Sequence, residues 1–145
     1  MALEVDILGM PILMPKKVKH RKWQRGRTKG IDRRGTEISF GFFGLMSLET
    51  RWITARQLEA ARRAIIRYLR KGGKLWIRVF PDKPVTQKGT EVPMGGGKGS
   101  VDHYVFSIKP GRIIFELDGI KKEVAEEALK KAADKLPIKT KIISR

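Results

Sequence analysis

The stretch "VPMGGGKGSVDH", residues 92–103, has four glycines around Lys98 and is the segment best suited to contact a phosphate. Nucleotide-binding loops follow the pattern Gly, four residues, Gly-Lys-Ser/Thr, and then open a helix. Here Gly99 follows Gly97-Lys98, Val92 stands where the first glycine is required, and a strand-like sequence comes next. The spacing of a dinucleotide-binding fingerprint is also missing. The loop is therefore predicted to approach a polymer's phosphates through its bare backbone instead of holding a nucleotide.

Residues that could perform catalysis or bind a metal are sparse. The chain has no cysteine and two histidines, His20 in a basic segment and His103 beside Asp102. Adjacent side chains of a regular strand point to opposite faces, so Asp102 and His103 are predicted not to act together. A site using both histidines would need distant parts of the chain to converge. We predict no catalytic residue, no metal site and no cofactor.

The composition indicates a polyanionic partner. The 145 residues include 32 Lys plus Arg against 15 Asp plus Glu, which gives a net charge of +17. Self-repulsion of this size opposes a compact state unless a polyanion neutralises it. Nucleic acid is the first candidate, and an anionic membrane surface is the second. No apolar run approaches the ~20 residues that span a bilayer.

Residues 14–35 form a basic arm with ten Lys or Arg and the single acid Asp32. The arm lacks apolar periodicity and cannot bury enough surface to fold alone. One interpretation is a solvated, flexible tail. The favoured one is an arm that becomes ordered on a phosphate backbone, with an aromatic side chain that stacks on a base or a sugar. The predicted RNA contacts are Lys16, Lys17, Lys19, His20, Arg21, Lys22, Trp23, Arg25, Arg27, Lys29, Arg33 and Arg34.

Residues 54–71 predict the first helix. Thr54 and Gln57 form a capping-box pattern, and Gly72 and Gly73 supply a stop. An apolar stripe at helical spacing consists of Leu58, Ala61, Ile65 and Leu69. The arginines lie on another face, where Glu59 is the only acid available for a pair. A solvated charged face is the alternative, but we predict RNA contacts by Arg56, Arg62, Arg63, Arg67 and Arg70.

The remaining pattern predicts an α+β fold with two helices packed on a mixed, mostly antiparallel sheet. Residues 36–48 are predicted to form a strand, a glycine bend and a second strand. A strand over 74–80 follows, and then the loop 81–102. Strands 103–108 and 112–117 are predicted to form a hairpin through "KPGR". A helix over 121–136 and a strand over 138–143 complete a single globular domain, 36–145, while residues 1–13 are an extension of unknown role.

Six blocks of this sequence resemble the bacterial and organellar large-subunit ribosomal proteins of the L-sixteen family. They are "ILMPKKVKHRKWQRGR", "GTEISFGFFGL", "WITARQLEAARRAIIRYLRKGGKLWIRVFPDKPVT", "MGGGKGSVDHYV", "KPGRIIFELDGI" and "KLPIKTK". The resemblance runs from Met14 to Lys141 and implies an α+β fold without enzymatic activity. It also implies binding to large-subunit ribosomal RNA near the peptidyl-transferase region, beside the aminoacyl-site tRNA, with late entry into the assembling subunit.

The resemblance also assigns roles to segments of this chain. The arm would thread into ribosomal RNA through Lys16, Lys17, Lys19, Arg21, Lys22, Arg25 and Arg27. Arg56 and Arg63 would face RNA and the tRNA side. The loop would extend towards tRNA through Lys88, Met94, Gly95, Gly96, Gly97, Lys98 and Gly99. Many members carry Arg where Pro93 stands and Lys where Gly96 stands, so this loop has less charge and is expected to act by reach and close backbone fit.

The expected partners are ribosomal RNA, aminoacyl-site tRNA and neighbouring ribosomal proteins, without a membrane, in a cytoplasmic or an organellar ribosome.

Other interpretations remain open at this point. An RNA-binding or assembly protein outside the mature ribosome is the alternative. A second rival is an enzyme acting on RNA or nucleotides through His103 or Asp102. The third is a binder of anionic membranes that would use the first helix.

Overall fold

The computed structural model describes residues 3–4, 13–69 and 72–145. These residues form two helices and eight strands, which confirms the α+β class. In chain order they are β1 (Leu3–Glu4), β2 (Phe43–Ser47), β3 (Arg51–Thr54), α1 (Ala55–Ile66), β4 (Lys74–Ile77), β5 (Lys83–Gln87), β6 (Ser100–Ile108), β7 (Ile113–Asp118), α2 (Lys122–Ala133) and β8 (Thr140–Ser144).

The strands form two antiparallel sheets where the sequence predicted one mixed sheet. A five-stranded sheet has the order β1-β4-β7-β2-β8, and a three-stranded sheet has the order β3-β6-β5. The predicted hairpin of 103–108 with 112–117 is therefore wrong, because β6 and β7 belong to different sheets. The turn itself exists, since the Arg112 N–H donates to the Lys109 carbonyl at 3.4 Å. It redirects the chain from one sheet to the other.

Two further strand predictions need correction. Residues 36–42 form no strand, so the predicted pair within 36–48 reduces to β2 alone. In the predicted loop 81–102, β5 pairs with β6, and Gln87 lies opposite Ser100. Pro84 made this strand hard to recognise in the sequence, because proline cannot donate a ladder hydrogen bond. It is tolerated here because β5 lies at the edge of its sheet. The glycine-rich loop is thus the tip of a β5–β6 hairpin, residues 88–99.

The start of α1 follows the sequence prediction, whereas its end does not. The Gln57 N–H donates to Thr54 Oγ1 at 3.2 Å, and the Thr54 N–H donates to Gln57 Oε1 at 3.0 Å, so the capping box is confirmed. Helix α1 ends at Ile66, five residues earlier than predicted. A tighter turn follows, in which the Leu69 N–H donates to the Ile66 carbonyl.

One hydrophobic core joins both helices and both sheets. The predicted α1 stripe is buried, and α2 contributes a stripe of small residues and leucine that is inaccessible to solvent: Ala125, Ala128, Leu129 and Ala132. From the strands, Leu45, Ile53, Phe115 and Leu117 complete the same cluster. The packing of α1 against α2 at this core leaves the outer side of α1 available for charged residues.

A buried carboxylate fixes segment 36–42 on the outer face of the five-stranded sheet. The Glu116 side chain is inaccessible to solvent and accepts hydrogen bonds from the N–H groups of Ser39 at 3.1 Å, Phe40 at 2.7 Å and Gly41 at 2.8 Å. It also forms an ion pair with Arg78. A Cβ atom on Gly41 would lie 2.6 Å from the Leu117 carbonyl oxygen, so the main chain can approach β7 only with glycine there.

Candidate nucleic-acid interface

The basic arm is exposed along its length and contains no helix or strand. All twelve arm residues predicted to contact RNA have exposed side chains. The main chain is nevertheless fixed to the domain where the arm ends. The Asp32 N–H donates to the Pro110 carbonyl at 3.0 Å, the Ile113 N–H donates to the Gly35 carbonyl at 2.8 Å, and Arg112 Nη1 donates to the Arg34 carbonyl at 3.2 Å. The arm therefore lies along the domain with its cations directed outwards.

Trp52 of β3 docks the middle of the arm. The Arg25 guanidinium lies 5.7 Å from the centroid of the Trp52 ring, and the Lys83 ammonium lies 4.9 Å from it. Both distances are within the range of cation–π attraction. Lys83 also donates a hydrogen bond to the Arg25 carbonyl. The arm and β3 enclose a cleft of about 540 Å³ that includes Arg27 and Arg51.

Sequence reasoning missed the contribution of Arg51 and Trp52 to this surface. Trp52 stands in a short strand between an arginine and a buried isoleucine, and no basic segment adjoins it in the sequence. The sequence shows only that Arg51 precedes Trp52, and a single cation beside an aromatic residue does not by itself indicate a site. Only the fold brings Arg25 and Lys83, 58 residues apart in the chain, to the same ring.

The glycine-rich loop and the arm are joined by reciprocal lysine contacts. The Lys22 ammonium donates to the Lys98 carbonyl at 3.0 Å, and the Lys98 ammonium donates to the Trp23 carbonyl. Lys88 closes the loop internally by donating to the Gly95 carbonyl at 2.6 Å. The predicted arm and the predicted loop therefore meet in the structure and form one continuous surface.

Three consecutive glycines shape the tip of the loop. Gly95, Gly96 and Gly97 have φ angles of +96°, +73° and +102°, which side chains other than glycine's rarely adopt. Met94 precedes them and is 96% exposed. At the base of the loop, a Cβ atom on Gly99 would lie 2.9 Å from the Gln87 main chain. The tip is thus a stretch of accessible backbone with little side-chain bulk.

Helix α1 presents only part of its predicted arginine face. Arg56, Arg63 and Arg67 are exposed. Arg62 is instead 5% exposed and forms two hydrogen bonds with the Glu59 carboxylate, at 2.7 and 2.5 Å. The structure thus separates Arg62 from the exposed arginines, and Arg70 lies outside the described residues.

Glu59 is held in its charged form by this pairing. The hydrogen bonds from Arg62 lower the pKa of the Glu59 carboxyl most, burial opposes them, and Arg63 adds a weaker lowering contribution. The Arg63 Nε–Glu59 Oε1 distance is 3.2 Å, but the Arg63 side chain remains 76% exposed. The exposed cationic surface of α1 therefore consists of Arg56, Arg63 and Arg67.

Asp102 and His103 interact, so the expectation that they point apart is wrong. His103 Nδ1 lies 2.7 Å from Asp102 Oδ2. A β-bulge causes this contact, because Val85 pairs with His103 and Thr86 pairs with Val101, leaving Asp102 as the extra residue. Both side chains line a cleft of about 510 Å³ beside Arg56. Among the residues that the structure describes, no group of His, Asp and Glu could hold a metal ion.

A comparison with known protein families gives this basic surface its context. The family model described as "Ribosomal protein L16p/L10e" matches residues 15–143 of the 145-residue chain. Within the described part of the chain, no helix is long and apolar enough to cross a membrane. The match includes nearly the whole arm, both helices, the glycine-rich loop and all of the described strands except β1 and the last residue of β8. The chain therefore belongs to the L16p/L10e family and is a structural, non-enzymatic constituent of the large ribosomal subunit that associates with ribosomal RNA and other ribosomal proteins.

Proposed function

We propose that the arm and the exposed arginines of α1 hold large-subunit ribosomal RNA, while the glycine-rich loop reaches the tRNA at the aminoacyl site. The observation that carries this proposal is the joined surface of arm and loop, in which the Lys22 ammonium donates to the Lys98 carbonyl and the Lys98 ammonium donates to the Trp23 carbonyl. RNA bound along the arm would fix the base of the element that meets tRNA. No bond is made or broken, and the function is to position two RNA molecules relative to each other.

Electrostatic neutralisation supplies the affinity in this proposal. No arm cation forms an ion pair with a carboxylate of the described residues, and Asp32 is the only acid in the segment. Each phosphate neutralised by Lys or Arg releases counterions, so binding should weaken steeply as the salt concentration rises. The exposed cations of the arm would be neutralised only by an RNA surface that has already folded, which supports entry into the subunit late in assembly.

A charge-matched pair of variants tests the role of the arm. One variant replaces Lys16, Lys17, Lys19, Arg21 and Lys22 by Ala, and the control replaces five exposed lysines in and around α2 by Ala: Lys121, Lys122, Lys130, Lys131 and Lys135. Binding to purified large-subunit ribosomal RNA is measured between 50 and 300 mM salt. The arm variant should flatten the slope of log K against log[salt] by about three to four units, whereas the control should change it by about one or less. Equal slopes in the two variants would refute the arm as the binding element.

The loop is tested in reconstituted large subunits joined to small subunits. Replacing Gly95, Gly96 and Gly97 by Ala should weaken tRNA binding at the aminoacyl site, because all three positions need positive φ angles. Binding at the peptidyl site should stay unchanged. Val92→Ala, in the same loop but without such a constraint, is the control. Unaltered aminoacyl-site binding in the triple variant would refute tRNA contact by the loop, but it would not affect the proposed binding of ribosomal RNA.

A further inference from the structure

The outer face of the five-stranded sheet has an aromatic slot that lies apart from the arm, α1 and the loop. Phe40 and Phe42 are each 47% exposed. The rings of Phe40 and Trp76 are nearly parallel, with 6.2 Å between their centroids and an interplanar angle of 24°. Large aromatic side chains exposed together are candidates for recognition, because each has an unused π-face.

One side of the Phe40 ring is supported and the other is open. Trp76 and Arg78 alternate with the buried Leu75 and Ile77, so both project from the sheet face opposite the core. The Arg78 guanidinium lies 5.3 Å from the Phe40 centroid. Since Trp76 and Arg78 both rise from the sheet beneath Phe40, the far side of the ring accounts for its exposure.

Two glycines contribute bare main chain to the lining of the slot. The slot has a volume of about 450 Å³ and is lined by Phe40, Gly73, Lys74, Trp76, Asp118 and Gly119. A Cβ atom on Gly119 would lie 3.2 Å from the Gly73 Cα, so the main chain approaches closely at this part of the lining. Aromatic rings together with bare backbone suit one flat group better than a peptide helix.

The slot is pre-organised by the buried carboxylate beneath it. Glu116 binds the N–H of Phe40 and those of both its neighbours, which fixes the main chain that carries the ring. Little conformational entropy is then lost when a ligand stacks on Phe40. An aromatic side chain held in place by a buried network, yet half exposed, is arranged for contact with a partner.

The charges around the slot favour a base over a phosphate. Arg78 is already paired with Glu116. Asp118, the acid in the lining, accepts a hydrogen bond from the Gly119 N–H at 2.7 Å. The wider protein still attracts a polyanion through its net charge of +17, and the C-terminal Arg145 adjoins the patch through its N–H bond to the Phe42 carbonyl at 2.8 Å.

We propose that this slot binds one unpaired nucleobase of RNA by stacking on Phe40. The site deepens the proposed RNA-binding function and rests on it for the class of ligand. Stacking of a splayed base on an aromatic side chain is how proteins commonly engage single-stranded RNA. Because stacking on Phe40 neutralises no phosphate, this contact should contribute affinity without contributing to the salt dependence of binding.

The test compares two ribo-oligonucleotides with the same number of phosphates. One is a decamer of adenylate, and the other is an abasic decamer. Phe40→Leu should weaken binding of the adenylate decamer by roughly 5- to 150-fold and leave the abasic decamer unchanged. The salt slope should be the same in both proteins. Phe42→Leu is the matched control, because Phe42 is as exposed as Phe40 but does not line the slot, and it should leave both affinities unchanged.

A second readout reports on the slot itself. The chain has three tryptophans, so the full-length Trp23→Phe, Trp52→Phe double variant leaves Trp76 as the only fluorescent indole. The adenylate decamer should quench its fluorescence, and the abasic decamer should not. Base stacking in the slot would be refuted if both decamers quenched equally, or if the Phe40→Leu and wild-type proteins bound the adenylate decamer with equal affinity, while salt-dependent binding persisted. Loss of salt-dependent binding in the wild-type protein would instead refute the proposed function.

A photo-crosslinker at position 40 distinguishes RNA from protein as the occupant. Phe40 is replaced by p-benzoylphenylalanine, and the protein is incorporated into reconstituted large subunits. A crosslink to ribosomal RNA supports the proposal. A crosslink only to another ribosomal protein, or no crosslink, overturns it. The same label at Lys130 on α2 provides the background level for an exposed site.

Discussion

The basic arm, residues 14–35, and the following segment, 36–42, are neighbouring stretches without helix or strand that are held in opposite ways. Segment 36–42 is held by the buried Glu116 carboxylate, which accepts hydrogen bonds from three main-chain N–H groups and forms an ion pair with Arg78. The arm is held by a few hydrogen bonds at its end and by exposed lysine–carbonyl contacts at its middle. Its side chains remain in solvent.

This difference shows where the order of an irregular segment comes from. Irregular backbone must satisfy its polar groups somewhere, and a buried carboxylate does this within the protein. Exposed charge-assisted contacts contribute little, because water and salt compete with them. The conformation of segment 36–42 is therefore fixed within the free protein, whereas under the proposed function the conformation of the arm would depend on bound RNA. Substitutions at Glu116, Gly41 and Trp52 test whether the two segments are held in these different ways.

Glu116→Gln should cause the largest loss of stability. The substitution keeps the shape of the side chain but removes the charge that pairs with Arg78 and with three N–H groups. Breaking a buried pair of this kind costs about 3–5 kcal/mol of the free energy of unfolding. Urea unfolding measures it, and Glu91→Gln, at an exposed carboxylate of the loop, should change stability by less than about 0.5 kcal/mol. Similar values for both variants would show that Glu116 does not organise the segment.

Gly41→Ala should destabilise the same segment by a steric route. A Cβ atom at this position would lie 2.6 Å from the Leu117 carbonyl oxygen, which is closer than real Cβ contacts. The main chain must then move off β7, and overpacking of this type costs about 1–3 kcal/mol. Gly89→Ala is the control, because its added Cβ would lie 3.7 Å from Val92 and meet no main chain. A neutral Gly41→Ala protein would mean that the segment is as loosely held as the arm.

The stability of the protein should fall in acid partly through Glu116. Burial, the largest single effect, raises the pKa of the Glu116 carboxyl, but the hydrogen bonds from Gly41, Ser39 and Phe40 and from Arg78 together outweigh it and leave the pKa below its usual value of 4.5. The folded state then binds this proton less readily than the unfolded state. Its contribution to stability is present above pH 4.5 and is lost as the pH falls through the lowered pKa.

Urea unfolding at pH 7 and pH 3 measures this acid sensitivity in the wild-type and Glu116→Gln proteins. The variant should lose less stability between the two pH values, because it has no charge at this position to neutralise. Glu59 has a lowered pKa as well and titrates in both proteins, so its effect cancels in the difference. An identical loss in the two proteins would contradict a charged Glu116 in the folded state.

The sequence predicted the helices and the arm better than the pairing of the strands. The capping box and the stripe of α1 depend on residues three or four apart, which local spacing determines. Pairing of β6 with β3 and β5 depends on contacts that local alternation does not encode, and Pro84 hid β5. The same limit explains the Asp102–His103 contact, since a bulge that breaks strand alternation leaves no local signal here.

Among the site residues too, some features follow from the local sequence and others only from the fold. Exposure of the arm cations follows from composition, because a run of like charges cannot be buried. Arg62 and Arg63 are adjacent and chemically identical, yet only the packing of α1 determines that Arg62 points inward to Glu59. Trp52 and the Phe40–Trp76 slot combine residues from distant elements, so the sequence offered no spacing by which to find them.

The smallest predicted effect on stability is that of Trp52→Leu, which should free the arm without disturbing segment 36–42. Of the two cations at the Trp52 ring, only Arg25 belongs to the arm, and loss of its cation–π contact removes about 0.5–1 kcal/mol at an exposed site, less what the leucine retains by packing. Tryptic cleavage within the arm should accelerate by roughly two- to fivefold, in line with a shift of that size in the docked population.

Trp23→Leu, with an exposed ring in the arm itself, is the matched control. Saturating ribosomal RNA should remove the difference, because the RNA then orders the arm in both proteins. If Glu116→Gln accelerated cleavage of the arm as much as Trp52→Leu does, the two segments would form one cooperative unit, and their separate origins of order would be wrong.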